Sequence, residues 1–352
     1  MIDLDFLKQL TEIPSVGTAC GPVLNLIASR FGDHYSHVDA SDGFRLFHKR
    51  GAVVSEITTL FVAHVDEIGG CIYGPRPGGG FNARYWGNRP AVFAYAELQG
   101  FDYLAQDGHA AFQVHGTILT VEGPAQVQMP GHSARAHEIV SYGEEKRLVL
   151  HGDGIKPYRT VWTFKQSTTF IEDTIDGKAL DPRVTVYSVM EAVRALDDPR
   201  VAALFVMAEE CAMDVAQKAV TYLQRHAPQL ELVVNADVPS IDNIGEGCLQ
   251  MPAIRIFEGR NFIDPAFGIR TADLLAEQGI EFHLSAARSG SQTILFTPLA
   301  PTLSIALPSK GVHLPRVEMS LLGTERCTAL LEAIGRNSLE GKLRPLSFAA
   351  SD

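Results

Sequence analysis

An α/β fold, with a mostly parallel sheet flanked by helices and an inserted β-rich domain, is predicted by three features of the sequence. Short apolar runs alternate with stretches of helical period in residues 1–70 and again in 172–352. Between them, residues 71–171 carry short alternating runs and turn residues but no long helical periodicity. Several apolar runs of the flanking segments also lead directly into a His, Asp or Glu, as strand ends that line a crevice would.

The elements follow in order. Leu4, Leu7 and Leu10 recur at helical spacing within residues 3–13. After Pro14 and the loop to Gly21, a second series runs Val23, Leu24, Ile27, Phe31, so two helices come first. Leu60, Phe61, Val62 and Ala63 form an apolar run suited to a strand buried on both faces. From residue 71 the Gly/Pro cluster G-P-R-P-G-G-G, the runs A-F-Q-V-H-G-T-I-L-T-V and R-L-V-L-H, and the turn Gly152-Asp153-Gly154 mark the β-rich insert. Asp181-Pro182 then opens a helix, Asp as N-cap and Pro in the first turn, with Tyr187, Met190, Val193 and Leu196 on one face. The run V-A-A-L-F-V-M-A ends in Glu209-Glu210, and a helix over about 213–225 leads to L-E-L-V-V-N-A-D, ending at Asp237. T-L-S-I-A-L-P-S runs towards His313, and a last helix carries Leu321, Leu322, Leu330, Leu331 and Ile334.

Composition excludes several classes. The 352 residues are 46% hydrophobic and 8% aromatic, enough for a substantial core and two domains rather than a disordered or collagen-like chain. With 41 acidic against 30 basic residues the formal charge is −11, which disfavours nucleic acid or an anionic membrane as a partner. No apolar run approaches the roughly 20 residues of a membrane span, and the start M-I-D-L-D-F-L-K-Q-L is too acidic for a signal peptide, so a cytoplasmic protein is expected. Cys20, Cys71, Cys211, Cys248 and Cys327 are scattered and form no C-x-x-C pair, so neither a disulfide framework nor a zinc knuckle is expected, and Cys211 reads as a small buried residue.

The chemistry concentrates at the run ends. His64 and Asp66, two apart, would share a strand face, an arrangement that suits a metal-bound imidazole oriented by a carboxylate. Glu209-Glu210 and Asp237 also follow apolar runs, and His313 comes a few residues after another, so all could meet in one crevice. Two His with several carboxylates suit a pair of divalent ions, Zn, Co or Mn. Such ions lie about 3.5–4 Å apart and need a bridge, for which Asp181 is the candidate, and the arrangement requires His64 and His313 to lie within about 10 Å of each other. Adjacent Glu209 and Glu210 can serve one site only if the strand ends between them, one then binding metal and the other reaching the reacting water. A glycosidase pair is excluded, because its carboxyls must flank the scissile bond about 5 Å or more apart.

Plainer readings stand beside these. Asp181 could be only an N-cap, Asp237 the start of a D-V-P turn, and Glu67 a structural or rim residue. Arg183 would pair with a carboxylate near the site, and His109, His115, His132 and His151 have no ligand spacing.

His64-Val65-Asp66-Glu67-Ile68-Gly69, Leu180-Asp181-Pro182-Arg183, Glu209-Glu210, Asp237 and His313, in this order over nearly the whole chain, resemble the di-metal glutamyl and tetrahedral aminopeptidases. The resemblance implies a zinc-exopeptidase-like fold, with His64 and Asp237 on one metal, Glu210 and His313 on the other, and Asp181 between them. Asp66 would orient His64, and Glu209 would be the general base. Four places depart from the family pattern, one of them Asp181-Pro182-Arg183 where Asp-Asp-Arg is usual. Ala208 stands where a Gln is usual, Cys211-Ala212-Met213-Asp214 replaces a run containing Gly, Arg and Gly, and Gly290-Ser291-Gln292 replaces Gly-Thr-Asp. The resemblance therefore implies a two-metal aminopeptidase that removes N-terminal residues from short peptides and assembles as a homo-oligomer, the insert helping to build the assembly and limit access. A deacylase or other amidohydrolase using the same metals, and a non-catalytic scaffold descended from an enzyme, are the alternatives.

Overall fold

The computed structural model describes residues 1–40, 43–75, 79–86, 98–102, 112–126, 141–151, 155–165, 167–243, 249–259, 261–287 and 290–343. The chain divides into two compact units, one built largely from Met1–Ile68 and Gln166–Asp352, the other from Gly69–Ala105 and His109–Lys165. The sequence placed the divisions at 70/71 and 171/172.

In the first unit, helix α1 (Leu4–Glu12) is capped by Asp3, whose carboxylate accepts the Phe6 N–H, and buries Phe6, Leu7 and Leu10 on one face. Helix α2 (Gly21–Phe31) buries Val23, Leu24, Ile27 and Phe31. The hairpin of β1 (Tyr35–Ala40) and β2 (Phe44–Lys49) follows, then β3 (Thr59–His64), buried at every residue. The sequence reading had missed that hairpin, because β1 is a half-exposed edge strand in which polar and apolar residues intermingle.

The second unit is a closed barrel of β4 (Gly69–Pro75), β5 (Phe81–Trp86), β6 (Leu98–Asp102), β7 (Phe112–Gln126), β8 (Ser141–His151) and β9 (Thr160–Phe164). Gly70 lets two of its strands approach, since a Cβ there would lie 1.8 Å from the Arg84 carbonyl oxygen. His109 and His132 of the sequence reading lie outside the described residues, as do the side chains of His115 and His151.

The chain returns to the first unit through β10 (Thr169–Ile171), β11 (Thr174–Gly177) and helix α3 (Leu180–Leu196), then β12 (Val201–Val206), α4 (Gln217–His226) and β13 (Leu232–Asp237). The remaining elements are β14 (Ala253–Glu258), β15 (Asn261–Phe262), α5 (Pro265–Glu277), β16 (His283–Ala287), α6 (Thr293–Phe296), β17 (Thr302–Ala306), β18 (Val317–Ser320) and α7 (Leu321–Leu339). The large sheet has the order β1-β2-β12-β3-β13-β17-β14-β15, with β16 beside β14, and its central strands β12, β3, β13 and β17 run parallel. Alternation along β3 decides which face each residue feeds. Leu60 and Val62 pack in a cluster with Ala219, Val220 and Leu223 of α4, whereas Phe61 and Ala63 join Val186 and Met190 of α3 and Leu330 and Ile334 of α7. Each such apolar side chain contributes about 1.5–3 kcal/mol by leaving water. Gly335 lets α7 close onto this layer, where a Cβ would meet Leu196 at 2.4 Å and Phe61 at 3.2 Å.

Candidate metal centre

Parallel pairing brings the predicted residues together. Val206 pairs with His64 and Asp237 with Ala306, so the carboxyl ends of β12, β3, β13 and β17 lie level at one edge of the sheet. The strand β12 stops at Val206, and Ala208, at φ +65°, turns the chain so that Glu209 and Glu210 both leave the strand. Asp66 holds that turn: its carboxylate accepts the Glu209 N–H at 2.9 Å and the Glu210 N–H at 3.1 Å. One carboxylate therefore ties the His64 segment to the paired glutamates.

Asp181 lies at the middle. His64 Nε2 is 3.2 Å from Asp181 Oδ1 and 3.6 Å from Asp237 Oδ1. His313 Nε2 is 3.8 Å from Asp181 Oδ2 and 3.2 Å from Glu210 Oε2. Donor atoms of His64, Asp181 and Asp237 form one group within 4.8 Å, and those of Asp181, Glu210 and His313 a second. Both imidazoles reach the same carboxylate, which meets the proximity that a binuclear centre demands. Asp181 keeps the N-cap position, with extended backbone (φ −84°, ψ 111°) just before Pro182, but among the described residues its buried Oδ1 accepts no hydrogen bond, so its carboxylate does not cap the helix through that oxygen.

The electrostatics follow from burial among like charges. Burial, with the Glu210 and Asp237 charges, pushes Asp181 up to about 6 against the opposing pull of His64. Burial also raises Glu209 well above the usual carboxylate range, opposed by His64 and reinforced by Asp237, Glu210 and Asp66. For His64 burial acts downward, yet the close carboxylates of Asp181, Asp237 and Asp66 hold its pKa well above the ordinary value. His313 is likewise lifted to about 9 by Glu210 and Asp181 in spite of burial. For Asp237 burial acts upward, but His64 and Arg255 outweigh it and the value falls to about 2. A largely buried, acid-rich cluster containing two imidazoles, with His64 Nδ1 and Asp181 Oδ1 lacking hydrogen-bond partners among the described residues, fits divalent cations bound by nitrogen and oxygen.

A second buried charge cluster lies beside the first along the chain. Lys178 Nζ donates to both oxygens of Glu67, at 2.6 and 2.8 Å, and Glu67 also accepts the Ser15 N–H. Burial lowers the Lys178 pKa, and the Glu67 charge opposes that shift. Arg183 does not follow its expectation: it donates to the carbonyls of Val65, Leu10 and Ile13 and to the Ser15 hydroxyl, and among the described residues to no carboxylate. It serves the backbone, stitching the loop after α1 to the segment after β3. Cys211 is half-buried rather than buried.

Sequence reasoning missed a polar layer next to Asp237. Asn235, Ser304 and Arg255 sit in register across β13, β17 and β14. Arg255 pairs with Glu258 through Nη1, which also lies 3.6 Å from Asp237 Oδ2. Gln292 Nε2 donates to Asn235 Oδ1 at 3.0 Å. The available signal was a lone Arg inside the apolar run A-I-R-I-F.

The model of the M42 glutamyl aminopeptidase family matches residues 139–330. In fold the chain is similar to an aminopeptidase from Desulfurococcus kamchatkensis, at 17% identity over 98% of each chain and a TM-score of 0.74. It is also similar to the TET1 peptidase of Pyrococcus horikoshii, at 19% identity over 94% of this chain and 98% of that one, with a TM-score of 0.70. An endoglucanase from Thermotoga maritima is similar at 17% identity over 96% of this chain and 97% of that one, with a TM-score of 0.64. Among the described residues no helix is long and apolar enough to cross a membrane.

Proposed function

Because the chain belongs to the M42 glutamyl aminopeptidase family, we propose that it is a metal-dependent aminopeptidase that removes N-terminal residues from short peptides. The observation that carries this reading is the shared carboxylate: Asp181 offers one oxygen to each of two donor groups, each containing an imidazole. His64 and Asp237 would hold one divalent ion, Glu210 and His313 the other, with Asp181 between them. When bound, the pair would act as Lewis acids towards water and the scissile carbonyl.

The chain's own residues do the rest. Glu209 would take the proton of the attacking water on its ionised carboxylate, a form that cations bound beside it would favour against the opposing effect of burial, and would deliver it to the departing amine. Asp66 Oδ1 helps to fix where Glu209 sits by accepting its N–H, and the same oxygen lies 3.4 Å from His64 Nδ1. The acidic surroundings also suit the protonated amino terminus of a peptide.

The experiment is hydrolysis of aminoacyl anilides by the wild-type chain and by Glu209→Gln, with zinc, cobalt and manganese content measured in both. Loss of turnover at unchanged metal content supports the assignment, and unchanged turnover removes Glu209 from the mechanism. The Pyrococcus horikoshii peptidase can assemble into a tetrahedron or an octahedral shell, and we extend to this chain a homo-oligomeric state, with the inserted domain at the contacts. Light scattering of the purified chain tests it, and a monomeric mass would overturn it.

A further inference from the structure

A chain of buried polar groups leads away from Asp237 and ends on unpartnered atoms. Gln292 bonds Asn235, Asn235 donates to Ser291 at 3.2 Å and Thr293 at 2.9 Å, and Thr293 reaches Ser304 at 3.4 Å. Ser304 then reaches Glu258 Oε1 at 3.4 Å, and the same oxygen accepts Arg255 Nη1. Arg255 and Glu258 are both 0% exposed at their side chains. Yet among the described residues Nε and Nη2 of Arg255 and Oε2 of Glu258 have no hydrogen-bond partner. A full charge at that depth is costly unless it is paired. Among the described residues the close ties of this guanidinium run through Nη1, to Glu258 on one side and towards Asp237 Oδ2 on the other. The other oxygen of Asp237 accepts the Val238 N–H at 2.8 Å and faces His64.

We infer that Arg255 is a positioning residue for Asp237 and that Glu258 is its built-in counter-ion. Arg255 holds Oδ2 so that Oδ1 stays turned towards His64. A bare guanidinium beside a metal-binding carboxylate would oppose the incoming cation, and Glu258 cancels that opposition. Glu258 thus tunes the affinity of a metal it does not touch. The inference rests on the reading of His64, Asp181 and Asp237 as one metal group.

The test is zinc affinity, measured by competition with a chromophoric chelator on the full-length metal-free chain. Glu258→Gln leaves Arg255 uncompensated, and its zinc dissociation constant should rise about tenfold or more. The double variant R255M/E258Q removes both charges, loses only the hold on Asp237, and should bind zinc more tightly than Glu258→Gln and more weakly than wild type. A merely structural pair would not give that rescue. Thermal unfolding of each metal-free variant reports folding separately. If Glu258→Gln does not fold, the double variant against wild type decides: affinity about threefold weaker or more supports the inference, and unchanged affinity overturns it. Unchanged affinity in Glu258→Gln, or no recovery in the double variant, also overturns it. Asp237→Asn separates the two levels: if it too leaves zinc binding unchanged, the metal reading itself fails, and if it alone weakens binding, only the role of Arg255 and Glu258 falls.

Discussion

Two clusters of buried charge flank the turn after β3, and they solve the same problem in opposite ways. Around Glu67, charge is closed on itself: Lys178 grips both carboxylate oxygens and Ser15 adds a backbone donor. Around Asp181 it is left open, with Asp237, Glu209 and Glu210 crowding two imidazoles and with Asp181 Oδ1 lacking a hydrogen bond. The difference teaches that burial does not mark a functional site by itself. What marks it is buried charge that the protein leaves uncancelled.

The largest effect that sharpens this contrast is on catalysis. Glu209→Gln should lower kcat for aminoacyl anilides by about 10²–10⁴-fold, the usual worth of a positioned acid–base group, with metal content intact. The same variant should leave the metal-free protein at least as stable as wild type, because it removes a carboxyl whose charge is disfavoured where it sits. A fall of its unfolding temperature would show instead that Glu209 is internally compensated.

In the closed cluster the order reverses. Lys178→Met strands the Glu67 charge and should cost about 3–5 kcal/mol, read by urea unfolding, with E67Q/K178M recovering most of the loss. A loss below about 1 kcal/mol would erase the distinction between the clusters.

Removing metal should act only on the open cluster. Chelation should abolish turnover and lower the unfolding temperature, zinc or cobalt should restore both, and E67Q/K178M should respond to chelation as wild type does. An unchanged unfolding temperature on chelation would mean that the open cluster holds no ion.

The smallest effect serves as a control at a carboxylate that belongs to neither cluster. Asp173 accepts the Leu322 N–H at 2.7 Å, the Ser320 hydroxyl at 2.7 Å and Gln250 Nε2 at 2.9 Å, which anchors the start of α7. Burial raises its pKa, but these donors prevail and the value is lowered. A depressed carboxylate stabilises the fold above the unfolded pKa, about 3.9, and loses that contribution as pH falls through the folded one. Asp173→Asn should therefore cost about 1–2 kcal/mol at neutral pH. That deficit should shrink below about pH 4, as equilibrium unfolding across pH would reveal, and a pH-independent deficit would contradict it.

Much of this was legible along the chain. The period of 3.6 in residues 3–13 and the unbroken apolar run Leu60–Ala63 correspond to α1 and β3, because both patterns reflect burial that each element needs wherever it is placed. The ordered series His64, Asp181, Glu209-Glu210, Asp237 and His313 could be named as a group because all but His313 stand at or just after the end of an apolar run or at the start of a helix, and because their order carries the family resemblance. The hairpin partner β1 could not, since an edge strand satisfies only one face.

What the sequence by itself determined is the inventory: which elements form, and which nitrogen and oxygen donors sit at their ends. Only the tertiary structure decided what each charge does, setting Asp181 between His64 and His313, sending Arg183 to carbonyls and setting Arg255 between Asp237 and Glu258. The reason is range. Periodicity and capping act over one or two turns of chain, whereas pairing of buried charges is settled by whichever partners from distant segments come within a few ångströms, and linear order does not encode those distances.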